Sequence, residues 1–139
     1  MIDLHPTVCN LCGGKVIYTS NKNIYGKKQG SGFCYLCTQC GAHVGPHVPH
    51  PKEAYGVLAD SEMRLLKSKC HEMFDKRWIG HTQKRRRREY QWLADQMGIP
   101  LDECHFGYFT KEQLLKAYNI LLNDRKQKEA QFAKLQGEI

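Results

Sequence analysis

The second half of the chain places apolar residues at the three- and four-residue intervals of amphipathic helices. A first helical segment starts at Asp60 or Ser61, either of which is a favourable N-cap, and ends near Gly80. Its apolar positions are Met63, Leu66, Cys70, Met73, Phe74 and Trp78. The pattern predicts a helix of about five turns that buries one face.

Two more helices are predicted after this one. The first of them has apolar residues at Tyr90, Leu93, Ala94 and Met97. Gly98 and Pro100 end it, because neither residue continues a helix. Thr110 and Gln113 match a capping box and start the next helix. Residues 124–139 are mostly polar, which predicts a projecting helical extension.

The N-terminal region has a different pattern, in which two β-prone segments flank a turn-rich loop in KVIYTSNKNIYGKKQGSGFCYL. The related stretches CNLCGG and CTQCGA stand on either side of it. The CxxC spacing lets two thiolates reach one ion, and the following glycine supplies a left-handed backbone position that exposes N–H groups to the sulfurs. Two such turns predict a zinc ribbon.

We assign Cys9, Cys12, Cys37 and Cys40 as the ligands of one zinc ion. Cys34 forms a competing CxxC with Cys37, but the glycine follows Cys40, so Cys34 is interpreted as a strand residue. A catalytic zinc normally keeps one open position and uses His or carboxylate ligands, whereas four cysteines close the site. We therefore expect a structural Zn²⁺.

Together the patterns predict a small α+β protein, with an N-terminal zinc ribbon packed on an α-helical bundle of about three helices. The predicted divisions are a zinc ribbon with a His/Pro-rich connector at residues 1–50, a helical domain at residues 51–123, and a polar, basic extension at residues 124–139. The connector HVGPHVPHP contains His43, His47 and His50, and its prolines and glycine indicate irregular structure. A second metal site at these histidines is an alternative, but neither their spacing nor their setting fixes a geometry.

Composition adds a compartment and a charge asymmetry. Seven cysteines is an odd number, and the chain lacks a signal-peptide pattern. Both features favour metal binding over disulfides, and they predict a cytoplasmic location. No apolar run reaches the roughly 18 residues of a membrane span, so we expect no membrane partner. Residues 61–139 carry sixteen basic and eleven acidic residues of a chain with net charge +7, so a polyanion should be attracted mainly to the helical part.

The run Lys84, Arg85, Arg86, Arg87 and Arg88 stands at the start of the second predicted helix. Cations at a helix N-terminus oppose the macrodipole, and adjacent cations repel each other. The run therefore favours an anionic partner, either nucleic-acid phosphate or an acidic protein, over a solvated helix start. Successive helical residues point about 100° apart, so only a subset can share one face, for instance Lys84 with Arg85 and Arg88.

Four polar residues form a further candidate site. Arg64, His71 and Asp75 fall on one edge of the first predicted helix. The simpler interpretation is a polar brace in which Asp75 orients His71 and Arg64 offsets the charge. The alternative is a second site, with His47 from the connector added to His71 and Asp75.

The two CxxCG turns and the segments after them resemble a zinc-finger-containing domain family of unknown function found in phage and prophage proteins. The segments that carry the resemblance are YLCTQCGAHVGPH, YGVLAD, MRLLKSKCHEMFDKRW and REYQWLADQMGI. The resemblance covers about residues 8 to 110. Its motif positions correspond to Cys9, Cys12, Cys37, Cys40, Gly45, His47, Arg64, His71, Phe74, Asp75, Trp78, Tyr90, Trp92 and Leu93. It implies a ribbon followed by helices and a mobile-element origin, hence a bacterial host cytoplasm, but no activity.

Three functions remain open at this point. The first is a non-enzymatic phage-type accessory protein that binds nucleic acid through a basic helical face. The second is an inhibitor or adaptor of a host protein, for example a nucleic-acid-processing or defence enzyme. The third is a metal-dependent nuclease, which no paired carboxylates or nuclease motif support.

Overall fold

The computed structural model describes residues 2–25, 32–47 and 50–137. The chain is a small α+β protein, as predicted. Its elements are β1 (Val16–Ser20), α1 (Lys22–Tyr25), β2 (Phe33–Cys37), β3 (His43–Val44), β4 (Pro46–His47), β5 (His50–Ala54), α2 (Ser61–Asp75), α3 (Gln83–Met97), two 3₁₀ turns (Leu101–Glu103 and Phe106–Tyr108) and α4 (Lys111–Gly137). Within those residues, no helix has both the length and the apolarity needed to cross a bilayer.

The chain forms two compact units, Met1–Arg64 and Leu65–Ile139. In the first unit, β2 is the central strand of an antiparallel sheet in the order β1-β2-β3. Val16 pairs with Cys37 and Ser20 with Phe33, so the two strands of the hairpin run between the cysteine turns and the hairpin tip. The tip itself, residues 26–31, lies outside the described residues. The hairpin matches the predicted ribbon.

The predicted irregular connector is wrong, because much of it is paired as short strands. Pro46 pairs with Ala54 and His47 with His50, which makes β4 and β5 a second antiparallel sheet. The His43 and Ala59 backbones exchange two hydrogen bonds, at 3.1 and 3.0 Å. These partners lie later in the sequence than residue 50, so the first unit extends beyond the boundary drawn there.

The second unit is built from the greater part of α2, from α3 and from α4. Thr82 caps α3, since its hydroxyl accepts a hydrogen bond from the Arg85 N–H at 3.2 Å. Gly98 ends α3 in the left-handed conformation with φ 71°. The predicted capping box is present, because Gln113 donates its N–H to Thr110 Oγ1 at 3.2 Å and accepts from the Thr110 N–H at 3.0 Å. From there α4 continues to Gly137 without a break at residue 123.

The core of the second unit is apolar and aromatic. Its buried residues are Cys70, Met73, Phe74, Leu93, Ala94, Met97, Cys104, Phe106, Phe109, Leu114, Ala117 and Leu121. The second 3₁₀ turn brings Phe106 edge-on to Phe74, with ring centroids 5.7 Å apart. Leu93 and Leu114 are both fully buried, one on α3 and one on α4. The helical periodicity in the sequence therefore identified the correct inward faces.

Candidate metal centre and basic helix face

The two cysteine turns have the same backbone geometry. In the first, the Cys9 N–H donates to Gly14 O at 2.8 Å and the Gly13 N–H donates to Cys9 O at 3.0 Å. In the second, the Cys37 and Gly41 N–H groups make the equivalent bonds at 2.9 and 3.1 Å. Gly13 and Gly41 have φ 77° and 81°, the left-handed conformation that the CxxCG pattern predicted.

These turns bring four thiols to one point. The Sγ atoms of Cys9, Cys12, Cys37 and Cys40 all lie within 4.8 Å of one another. Cys9 Sγ is 3.7 Å from Cys40 Sγ, and Cys12 Sγ is 3.4 Å from Cys37 Sγ. A tetrahedral zinc with bonds of about 2.3 Å separates its sulfurs by about 3.8 Å, so the donors fit one Zn²⁺. With four thiolates the coordination sphere is complete, which makes the zinc structural.

Backbone N–H groups point at the sulfurs from both turns. Leu11 donates to Cys9 Sγ at 3.3 Å and Gly14 to Cys12 Sγ at 3.4 Å. The Cys40 and Gln39 N–H groups, both 3.4 Å from Cys37 Sγ, help to lower the pKa of Cys37 to about 6. At Cys40 the Ala42 N–H also lowers the pKa, but desolvation and the neighbouring thiols raise it overall. Such donors stabilise thiolate, the form that binds metal.

Gly14 joins the two turns closely. A Cβ atom at this position would lie 2.7 Å from Gln39 Cβ and 2.9 Å from Cys37 Sγ. Only a glycine lets the first turn approach the second at this distance, because both separations are shorter than real Cβ contacts. The glycine after CxxCG therefore also positions the ligands, a role that its place in the sequence did not reveal.

The other three cysteines are outside the centre. Cys34 lies in β2 and is 2 % exposed, in agreement with its interpretation as a strand residue. Burial raises the pKa of Cys34, and it raises that of Cys70 to about 12 and that of Cys104 to about 11. These three cysteines are neutral, buried side chains at physiological pH.

Three residues of the predicted polar site, Arg64, His71 and Asp75, lie on α2, and the boundary between the two units falls within this helix after Arg64. His47 and Arg64 belong to the first unit, where His47 stacks on Tyr55 with ring centroids 5.8 Å apart. Arg64 Nη1 donates to Ala59 O at 2.6 Å and lies 3.4 Å from His43 Nδ1. Arg64 therefore helps to fix the segment that leads into α2. The side chain of His50 lies outside the described residues.

His71 and Asp75 belong to the second unit. Asp75 Oδ1 accepts a hydrogen bond from Trp78 Nε1 at 3.1 Å. The His71 side chain reaches solvent, but its ring also lies edge-on to Phe106, with centroids 4.7 Å apart. Desolvation lowers the pKa of His71, and the negative charge of Asp75 opposes this. Among the described residues, the four cysteines are the one group of three or more potential metal ligands close together.

The five cations of the basic run, residues 84 to 88, are divided by the fold into two sets. Arg85 Nε is 3.1 Å from Glu89 Oε1, and the Arg86 guanidinium lies 4.9 Å from the centre of the Tyr90 ring and 5.4 Å from that of Trp78. Both arginines are half-buried. They contribute to the packing of the second unit, so Arg85 is not part of an outward face.

The other set is Lys84, Arg87 and Arg88, which we call the cationic face. All three side chains are exposed. In the part of the chain that the structure describes, none of them takes part in a hydrogen bond, ion pair or ring contact. Their spacing of three and four residues places them on one side of α3, with Gln91 one turn further along. The cationic face differs from the predicted subset because Arg87 replaces Arg85.

Arg77 is the centre of an ion-pair network that the sequence reasoning missed. Its Nε donates to Glu89 Oε2 at 2.6 Å, its Nη1 pairs with Asp124, and its guanidinium stacks 3.8 Å from the centre of the Trp92 ring. Lys128 Nζ lies 3.1 Å from Asp124 Oδ2. Desolvation alone would raise the pKa of Asp124, but hydrogen bonds from Arg77 and Lys128 lower it. Arg77 and Asp124 are 47 residues apart, and no local pattern connects them.

One protein family matches this chain. The profile of a family described as a zinc-finger-containing domain matches residues 5–124, which includes all four cysteines and all of α2 and α3. No curated protein and no solved structure matches with statistical significance.

Proposed function

This chain belongs to the zinc-finger-containing domain family, and from that premise we propose that it is a non-enzymatic accessory protein of phage type that binds nucleic acid. The cationic face carries the proposal. Three exposed cations on one side of a helix oppose its dipole and repel each other, and within the described residues they have no partner. A surface of this kind is suited to phosphate groups of DNA or RNA.

The charge of the second unit supports the same function. Leu65–Ile139 contains fifteen basic and ten acidic residues. Two of those acids, Glu89 and Asp124, are paired with Arg77. Their negative charges therefore only weakly reduce the positive charge that a partner would meet at the cationic face. The zinc centre needs reduced thiols, which is consistent with action in the cytoplasm of a bacterial host.

Removal of the cationic face tests the proposal. The variant Lys84→Ala, Arg87→Ala, Arg88→Ala should keep its zinc and its helix content, because the side chains are exposed and alanine favours helix. Its matched control is Lys15→Ala, Lys22→Ala, Lys52→Ala, which removes the same charge from exposed positions of the first unit. Affinity for labelled DNA and RNA is measured by fluorescence anisotropy across a salt series.

The slope of log affinity against log salt separates the outcomes. Loss of three phosphate contacts should reduce the slope by about 2 to 3, while the control should change it little. Equal effects of both triple variants would mean that only net charge matters. Unchanged binding by the cationic-face variant would contradict the proposal.

A second candidate, an adaptor or inhibitor that binds a host protein, is favoured by the first unit. Its exposed apolar side chains include Val8 at 62 %, Phe33 at 48 % and Leu11 at 37 % exposure. Tyr18 stacks on Phe33 with centroids 5.3 Å apart and is itself 38 % exposed. Exposed aromatic and aliphatic groups of this kind are typical of protein contacts. Capture of a host protein that is lost on Phe33→Ser, with nucleic-acid binding absent, would favour this candidate.

A further inference from the structure

A groove lies between α3 and α4, next to the Arg77 network. Its cavity measures about 320 Å³. The lining residues are Trp92, Gln96, Ile120, Asn123, Asp124 and Gln127. Cavities that hold small organic groups usually begin at about 300 Å³, so this groove can hold one ring system of modest size.

Three of the six residues that line the groove carry a carboxamide side chain. The side chains of Gln96, Asn123 and Gln127 make no hydrogen bond with other described residues, although they lie together around one cavity. Each carboxamide has two N–H donors and one carbonyl acceptor. Paired donors and acceptors of this kind match the edges of nucleobases, as in the bidentate contacts of Asn and Gln to adenine.

Trp92 adds a stacking surface to the same groove. The Arg77 guanidinium covers one side of the indole at 3.8 Å from the ring centre. Arg77 is itself held by Glu89 and Asp124, so the indole is fixed before any ligand arrives. A preorganised aromatic ring loses little entropy when a base stacks on it.

The position of Trp92 connects the groove to the cationic face. Trp92 lies four residues after Arg88, and Arg88 lies four residues after Lys84, so the three side chains follow one another along α3. Each four-residue step covers about 6 Å along the helix, so phosphates on Arg88 and Lys84 would lie about one and two nucleotides, respectively, from a base at Trp92. A second cavity of about 370 Å³ shares the lining residue Asp124 with the groove. Its lining contains more basic than acidic residues, because Glu89 and Asp124 are accompanied by Lys76, Arg77, Arg85, Arg125 and Lys128.

From these four observations we infer that the groove binds an unstacked base of single-stranded nucleic acid while the cationic face binds its backbone. The inference rests on the proposed function and specifies its ligand. A base in a duplex is paired and stacked, so it cannot reach an indole and carboxamides in a groove without being extruded. Single strands present their bases freely and bind by stacking on aromatic residues next to a positive track.

A matched pair of variants tests the groove. Asn123→Ala, Gln127→Ala removes two lining carboxamides from α4, and Asn119→Ala, Gln131→Ala removes the same residue types from positions outside the lining, one turn before Asn123 and one turn after Gln127. The probes are a fluorescein-labelled single strand of about 20 nucleotides, the same strand with abasic sites, and the duplex, each as DNA and the first also as RNA. We expect the intact single strand to bind about tenfold more tightly than the abasic strand and the duplex.

The groove variant should lose most of that preference and keep its binding to the duplex, and the matched control should keep both. Equal affinity of the wild-type protein for all three probes would overturn the inference and leave the proposed function intact. Absence of binding to any probe would overturn both. A groove variant that retains the full preference for the intact strand would also overturn the inference.

Tryptophan fluorescence gives an independent readout that does not depend on removing Trp92. In a Trp78→Phe protein, Trp92 is the remaining tryptophan. Stacking of a base should quench its emission when intact single strand is added, whereas the abasic strand should bind without quenching. Equal quenching by both strands would contradict base stacking at Trp92.

Discussion

The two units of this protein are stabilised in different ways. The apolar cluster of the first unit consists of Cys9, Val16, Tyr35, Cys37, Ala42, Val44, Ala54 and Leu58, and two of these are zinc ligands. Among its described residues, the second unit has twelve buried apolar side chains on its helices and turns, and an ion-pair network centred on Arg77. Domains below about 70 residues bury too little apolar surface to be stable alone, and metal binding supplies the difference.

The units also differ in the charge they present. Met1–Arg64 contains six basic and four acidic residues, and four thiolates around one Zn²⁺ add a charge of about −2, which leaves the unit near neutral. The second unit keeps its excess of basic residues. The comparison indicates that the zinc centre organises a fold, whereas cations not used in packing are available for a partner.

Loss of a zinc ligand should have the largest effect and should be confined to the first unit. Cys9→Ser or Cys40→Ser should abolish tight zinc binding and unfold that unit, because structural zinc contributes on the order of 10 kcal/mol. Helix content from α3 and α4 should remain. Elemental analysis and circular dichroism measure the two quantities, and Cys34→Ser is the control that should keep one zinc per chain. Zinc loss from Cys34→Ser would contradict the ligand assignment.

Disruption of the Arg77 network should destabilise the second unit without affecting zinc binding. Arg77→Met removes the closest cation of the Glu89 carboxylate, whose side chain is 11 % exposed, and leaves Arg85 as its remaining partner. Removal of one member of a buried pair costs about 3 to 5 kcal/mol when no other partner remains, so with Arg85 in place we expect a loss of about 2 kcal/mol. Lys76→Met is the matched control, since its pair with Glu72 is exposed and contributes about 0.5 kcal/mol at most. Urea unfolding, followed by the helical circular-dichroism signal, measures the stability of both variants. Similar losses of stability in the two variants would argue against the network.

A smaller effect is expected where the two cysteine turns meet. In Gly14→Ala, the added methyl group would press on Gln39 and Cys37 Sγ and so displace the second turn. Overpacking of this type typically costs about 1 to 3 kcal/mol, which should appear as weaker zinc binding in competition with a chelator. Gly45→Ala is the control, because its Cβ would meet nothing within 4 Å. Equal zinc affinity of Gly14→Ala and wild type would show that the close approach is not required.

The smallest effect concerns pH and the second unit alone. Because the folded-state pKa of His71 is lowered from 6.5, the unfolded chain binds its proton more readily. The contribution of neutral His71 to folding stability is thus fully present above pH about 6.5 and is lost as the pH falls below that value. The charges that act on the ring are Asp75 and Lys67 on α2 and Arg86 on α3. Since His71 is partly exposed, the effect should be modest. Between pH about 7.5 and 5.5, wild type should lose more stability than His71→Gln, and parallel losses would contradict the shift.

The parts of the molecule that the sequence predicted are those set by local chemistry. The CxxCG turns identified the four cysteines that lie together, because cysteine spacing and a left-handed glycine act within six residues. The inward faces of α2 and α3 followed from helical periodicity, and the caps at Thr110 and Gly98 from adjacent residues.

The parts that could not be predicted depend on residues far apart in the sequence. Pro46 is in a strand because it pairs with Ala54, and no pattern in HVGPHVPHP indicates that partner. Arg85 and Arg88 are the same residue type in one run, yet one packs toward Glu89 and the other faces solvent. Which cation turns inward depends on where Arg77 and α4 lie, and this is a property of the tertiary fold.

Burial of Cys34, Cys70 and Cys104 determines how this protein reacts with thiol reagents. Alkylation and disulfide exchange require an accessible thiolate, and these three side chains are between 0 and 5 % exposed, with raised pKa values. A chromogenic disulfide should therefore react slowly with the zinc-loaded chain. After chelation it should label the four cysteines of the metal centre first, so the number of rapidly labelled thiols directly reports how many centres have lost their metal.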